Sequence, residues 1–174
     1  MADVIIDHPN RDKAESKATK GIVFLLLLAS AGLVLIVTLG GWSQLQGAQI
    51  VAFAYIFIYL LMAFYVLRWN RGVLPVASAL AVLLGVVAAV SAPAWFARAK
   101  DGFADPTLDP DILGLLTLII VPVQLLLLAF AMRGFSQKWN VEIEMTRDEF
   151  EREHRGGRGG RGGGGYSRAQ PAQG

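Results

Sequence analysis

Hydrophobic residues in this chain gather into four long blocks rather than recurring every third or fourth position, as they do on the faces of soluble helices. Residues 22–39, 50–67, 73–97 and 112–132 contain no Asp, Glu, Lys, Arg or His. At about 1.5 Å of rise per residue, a helix of roughly 18 residues reaches about 27 Å, close to the roughly 30 Å hydrocarbon core of a bilayer. Lipid offers no hydrogen-bond partner to an open strand, so each block is predicted to be a transmembrane helix. The expected fold class is therefore all-α. It is a polytopic four-transmembrane-helix bundle with both termini cytoplasmic and a disordered Gly/Arg-rich C-terminal tail. The chain divides into a polar leader over residues 1–20, a membrane domain over 21–134, a cytoplasmic segment over 135–154 with a short acidic helix, and the tail over 155–174.

Basic residues at the span ends set the orientation, because they resist translocation more than acidic ones do. Arg11, Lys13, Lys17, Lys20, Arg68, Arg71, Arg133, Lys138 and Arg147 fall on one predicted side, whereas only Arg98 and Lys100 fall on the other. This asymmetry places both ends of the chain in the cytoplasm of a multi-pass protein of the cell membrane. Trp42, Trp69, Trp95 and Trp139 stand at successive span boundaries, and indole favours the headgroup region, so they are expected as interfacial anchors. The first block follows a basic stretch as a secretory signal would. It is too long for a usual signal core and lacks a small-residue cleavage site, so it reads as a retained span.

Within the third block Ala77, Ala81, Gly85 and Ala89 repeat at intervals of four and are expected to form a helix-packing stripe, since small side chains let helix backbones approach in lipid. The stripe serves either packing within the bundle or a contact with a second copy or partner. Asp109 and Pro110 form a helix start, with the carboxylate positioned to cap a backbone N–H and the proline at the first helical position. A calcium site on Asp105, Asp109 and Asp111 is the weaker alternative, because their spacing matches no EF-hand. Tyr55 and Tyr59 share a face and are expected to pack against each other. Gln124 is expected to bond a carbonyl freed by Pro122.

Composition removes several chemistries. Over half the residues are hydrophobic, and 17% are charged, against about a quarter in an ordinary soluble domain. The absence of cysteine excludes a disulfide framework, thiolate zinc and iron–sulfur ligation, and a cysteine nucleophile. Asp7 and His8 lack further ligands nearby, so no metal is expected there, and no catalytic or cofactor-binding residues are assigned.

The polar flanks carry three further expectations. Residues 141–145 alternate apolar and acidic side chains like a strand and could pair with residues 4–6. Thr146 and Glu149 then form a capping box for a short helix, in a stretch where six acids between Glu142 and Glu153 face two arginines. Beyond it Arg155, Arg158 and Arg161 open three Arg-Gly-Gly triplets, followed by Arg168. This segment resembles the RGG boxes of RNA-binding tails, which implies an anion contact to nucleic acid through these arginines; the residues themselves read first as a plain solubilising tail, and otherwise as a contact with anionic lipid headgroups or the neighbouring acidic helix.

No ionisable carrier residue lies at membrane depth, so proton relays and voltage sensing lack their chemistry. The function expected is that of a non-catalytic integral membrane protein, an accessory subunit, scaffold or anchor. Its expected partners are membrane lipids and further copies of itself or a larger membrane complex. A small transporter or channel subunit, with Ser30, Ser78, Ser91 and Gln124 lining a pore between copies, is the alternative. A membrane tether for nucleic acid through the tail is a third reading.

Overall fold

The computed structural model describes residues 4–7, 11, 13–100, 106–139 and 143–146. These belong to two compact units, a helical one within residues 8–141 and a second formed by the two chain ends. The second unit contains an antiparallel pair of short strands, β1 (Val4–Asp7) and β2 (Ile143–Thr146), in which Val4 faces Thr146 and Asp7 faces Ile143. The all-α expectation is corrected to this extent. Thr146 is the last residue of β2, an extended backbone position that a helix N-cap also takes. The remainder of the acidic helix and Arg155, Arg158, Arg161 and Arg168 lie outside the described residues, as do His8 and Asp105.

The helical unit consists of α1 (Ala14–Gly40), α2 (Gln49–Leu67), α3 (Val73–Arg98) and α4 (Pro110–Ser136), all four long and apolar enough to cross a membrane. Each apolar block lies inside one helix. The first helix begins well before its block, because 14–21 is built mainly of Ala, Lys, Glu and Ser, with no proline to stop propagation. Asp109 accepts a bond from the Asp111 N–H at 2.8 Å with Pro110 at the first helical position, as expected of that cap. Many large apolar side chains point outward, among them Leu25, Phe57, Val90 and Leu125, a surface suited to lipid and costly in water.

Contacts between helix ends give the up-and-down order. At one end, called distal here, the Leu108 N–H donates to the Gly40 carbonyl at 3.1 Å, and Gly41 lies against the Trp95 ring. At the proximal end Lys20 lies over the Trp69 ring at 4.0 Å, Arg71 over Phe135 at 4.9 Å, and Trp69 meets Trp139 edge-on. Helix α1 packs against α2 and α4, and α3 packs along α4, whereas α2 and α3 touch only sparsely.

The stripe on α3 is shifted from its expected position. Ala77 and Ala81 are buried, Gly85 is half-buried against Gln124, and Ala89 is exposed. At about 100° per residue, a four-residue step overshoots a full turn by about 40°, so a strict four-residue repeat drifts off any one face. The buried row instead runs Ala77, Ala81, Leu84, Ala88, Ala92 and Trp95, mixing steps of three and four.

The tryptophans also depart in part from simple anchoring. Trp42 and Trp95 do lie at the distal end and Trp69 and Trp139 at the proximal end. Trp42 is exposed and meets Phe53 edge-on, and Trp69 is half-buried. Trp95 and Trp139, however, are buried in the protein. Glycine makes that possible: a Cβ on Gly41 would come within 2.5 Å of the Trp95 ring, and one on Gly134 within 3.0 Å of Trp139.

Candidate functional site

Three helices contribute polar side chains to the middle of the apolar layer, and these side chains bond to one another. The Tyr59 hydroxyl on α2 donates to Gln124 Oε1 on α4 at 2.9 Å. Gln124 Nε2 donates to Ser30 Oγ on α1 at 2.8 Å, and Ser30 in turn donates to the Leu26 carbonyl at 2.7 Å. All three side chains are almost completely buried. A polar group left alone there would lose water without replacement, so the chain of bonds both satisfies its members and ties three helices together.

Gln124 therefore does not serve Pro122, contrary to expectation. Two residues along a helix correspond to about 200° of rotation, so the exposed Pro122 and the buried Gln124 lie on opposite sides of α4. Tyr55 and Tyr59 do pack, with ring centroids 5.9 Å apart and planes at 67°. The other serines follow separate paths: Ser78 bonds the Leu74 carbonyl at 3.0 Å and Ser91 the Val87 carbonyl at 2.6 Å, each within its own helix. Ser30 and Gln124 are thus joined in one network, to which Ser78 and Ser91 do not bond.

Distal to this layer lies a cavity of about 340 Å³. It occupies the gap between α2 and α3. Buried residues on α2 are confined to its second half, at Tyr59, Met62, Ala63 and Val66, so its first half stands away from the bundle. The walls are mainly apolar, from Val34, Val51, Leu84, Val87 and Ile120, with Tyr55, Ser91, Thr117 and Gln44 as polar groups. Arg98, in the last turn of α3, also lines it, and its guanidinium lies over the Trp95 ring at 5.3 Å. The volume is in the range of small-molecule sites, about 300–1,000 Å³.

At the proximal end Trp69 holds a left-handed backbone conformation, φ 61°, that usually calls for glycine. The turn is a Schellman motif: the Trp69 N–H reaches the Val66 carbonyl at 3.0 Å and the Asn70 N–H the Tyr65 carbonyl at 3.1 Å. Its indole is held between Lys20 and Trp139, contacts that offset the strain of about 1–3 kcal/mol. Among the described residues no group of three or more His, Asp or Glu side chains is placed to hold a metal.

Sequence reasoning found the members of the central network one by one but not their union, and it missed the cavity. Comparison with protein-family models, curated proteins and solved structures finds no match for this chain.

Proposed function

We propose that this chain is a non-catalytic multi-pass membrane protein that works as an accessory subunit or scaffold, with both termini in the cytoplasm. The carrying observation is the closed network of Tyr59, Gln124 and Ser30. The most polar groups at membrane depth are used in holding helices together, and the apolar blocks carry no Asp, Glu, Lys, Arg or His. Such an arrangement favours a fixed platform over a proton path or an ion-coupled carrier, which need a group that changes charge in the membrane.

The antiparallel pairing of β1 with β2 supports the topology. Strands flanking the first and last helices can pair only if both flanks lie on one side of the bilayer, which requires an even number of crossings. The surplus of basic residues on that side supports the cytoplasm as its location. The half-buried Gly85 and the exposed Ala89 of the stripe border a groove between α3 and α4 that also includes Val121 and Leu125. This groove suits close approach by a helix of another copy or partner.

The test combines two measurements. Purified in mild detergent, the chain is expected to retain a membrane-protein partner in fixed stoichiometry. Reconstituted alone in liposomes, it is expected to pass no ion or solute selectively. Selective flux from the chain alone would overturn the reading.

A further inference from the structure

The cavity between α2 and α3 combines three features that together specify a ligand chemistry. Its walls are mainly apolar, and they run from Ile120 and Leu84 within the apolar blocks to Gln44 and Arg98 at the distal helix ends. Arg98 supplies a positive charge at its distal end, on the last turn of α3. Ala48 and Val51 at the start of α2 also line the cavity; that start has no side-chain cap, and the Ile50 N–H reaches the Gly47 carbonyl at 3.3 Å, which leaves the N–H groups of Gln49 and Val51 without a backbone acceptor. Orphan N–H groups carry the positive end of the helix dipole and accept an anion readily. The intervening turn from residue 40 to 49 has no charged residue to neutralise either feature.

We propose that this cavity binds an anionic phospholipid of the surrounding bilayer. One acyl chain occupies the gap between α2 and α3, and the phosphate is held by Arg98 and the start of α2. A guanidinium can engage two phosphate oxygens at once, whereas a zwitterionic headgroup brings its own cation to the same place and gains less. Tyr55 lines the cavity, and its hydroxyl has no hydrogen-bond partner among the described residues, so it can serve the ester region of the lipid. Trp95 forms part of the wall and holds the Arg98 side chain in position through its ring face. The proposal requires the bundle to lie in a bilayer, and it requires nothing of the scaffold role.

The test uses the full chain extracted from vesicles of equal parts phosphatidylglycerol and phosphatidylcholine and examined by native mass spectrometry. The wild type should retain one phosphatidylglycerol in preference to phosphatidylcholine, and Arg98→Gln should lower that preference on the order of tenfold. Arg98→Lys should keep part of it. Ala52→Phe, placed in the cavity wall, should reduce retention of both lipids, whereas Ala129→Phe on the exposed side of α4 should not. Thermal midpoints of all variants should match the wild type, showing that folding is not the cause. Equal retention of the two lipids by the wild type, or an unchanged preference in Arg98→Gln, would overturn the proposal. So would displacement of phosphatidylglycerol by an equal amount of oleate, which would make a free fatty acid the ligand.

Discussion

Trp139→Ala is expected to lower stability in mild detergent by about 3–5 kcal/mol, the usual range for removing a fully buried tryptophan. The side chain has no solvent exposure and lies edge-on against Trp69 at 5.4 Å. Its indole N–H donates to Gln137 Oε1 at 3.0 Å, and Gln137 Nε2 reaches Thr19 on α1 at 3.1 Å. Its backbone carbonyl accepts from Arg11 Nε at 3.2 Å. Truncation empties the space above Gly134 and removes the support that keeps Trp69 in its left-handed turn. Trp42→Ala removes an indole of equal size that is about half exposed, so its cost should be much smaller. Thermal midpoints of the two variants, read by the loss of monodisperse protein on size exclusion, separate these cases. Equal shifts would show that Trp139 is an anchor in the headgroup layer and not part of the core.

Gln124→Leu is the second large effect, with an expected cost of about 1–2 kcal/mol. Leucine nearly matches the volume, so the loss is polar: the Tyr59 hydroxyl loses its acceptor in a dry interior. An unsatisfied buried group costs about 1–3 kcal/mol in soluble proteins, while single bonds between membrane helices average about 0.6 kcal/mol, so the estimate falls between the two. The network makes a sharper statement about coupling. Tyr59→Phe removes the orphaned hydroxyl, so Tyr59→Phe with Gln124→Leu should be no less stable than Gln124→Leu alone. Strict additivity in this cycle would mean that the two side chains act independently.

The spans were legible because the rule behind them is local: a charge-free block of this length has few homes other than lipid. The Asp109 cap and the Tyr55–Tyr59 pair were legible for the same reason, since each depends on residues within one turn. The pairing of residues 4–7 with 143–146 is a long-range contact, and it showed through the strand-like alternation of the later segment. What could not be read was which side of each helix faces inward. In blocks where nearly every residue is apolar, hydrophobicity does not distinguish core from lipid. The four-residue spacing of small residues therefore does not show that Ala89 turns outward, and the boundary positions of Trp95 and Trp139 do not show that their rings turn inward. Gln124 stands two residues from Pro122 in sequence, although its partners lie 65 and 94 residues away on other helices.

The most direct measurement of the central claim is the sidedness of single cysteines, which this naturally cysteine-free chain permits without background. Ser43→Cys and Thr107→Cys at the distal end should react with a membrane-impermeant maleimide in intact cells. Asn70→Cys at the proximal end, and a cysteine appended after Gly174, should react only once the membrane is opened. Labelling of Asn70→Cys or of the C-terminal cysteine in intact cells, with Ser43→Cys protected, would contradict the cytoplasmic placement. A split result, with Ser43→Cys and Asn70→Cys on one side, would contradict the four-span bundle itself.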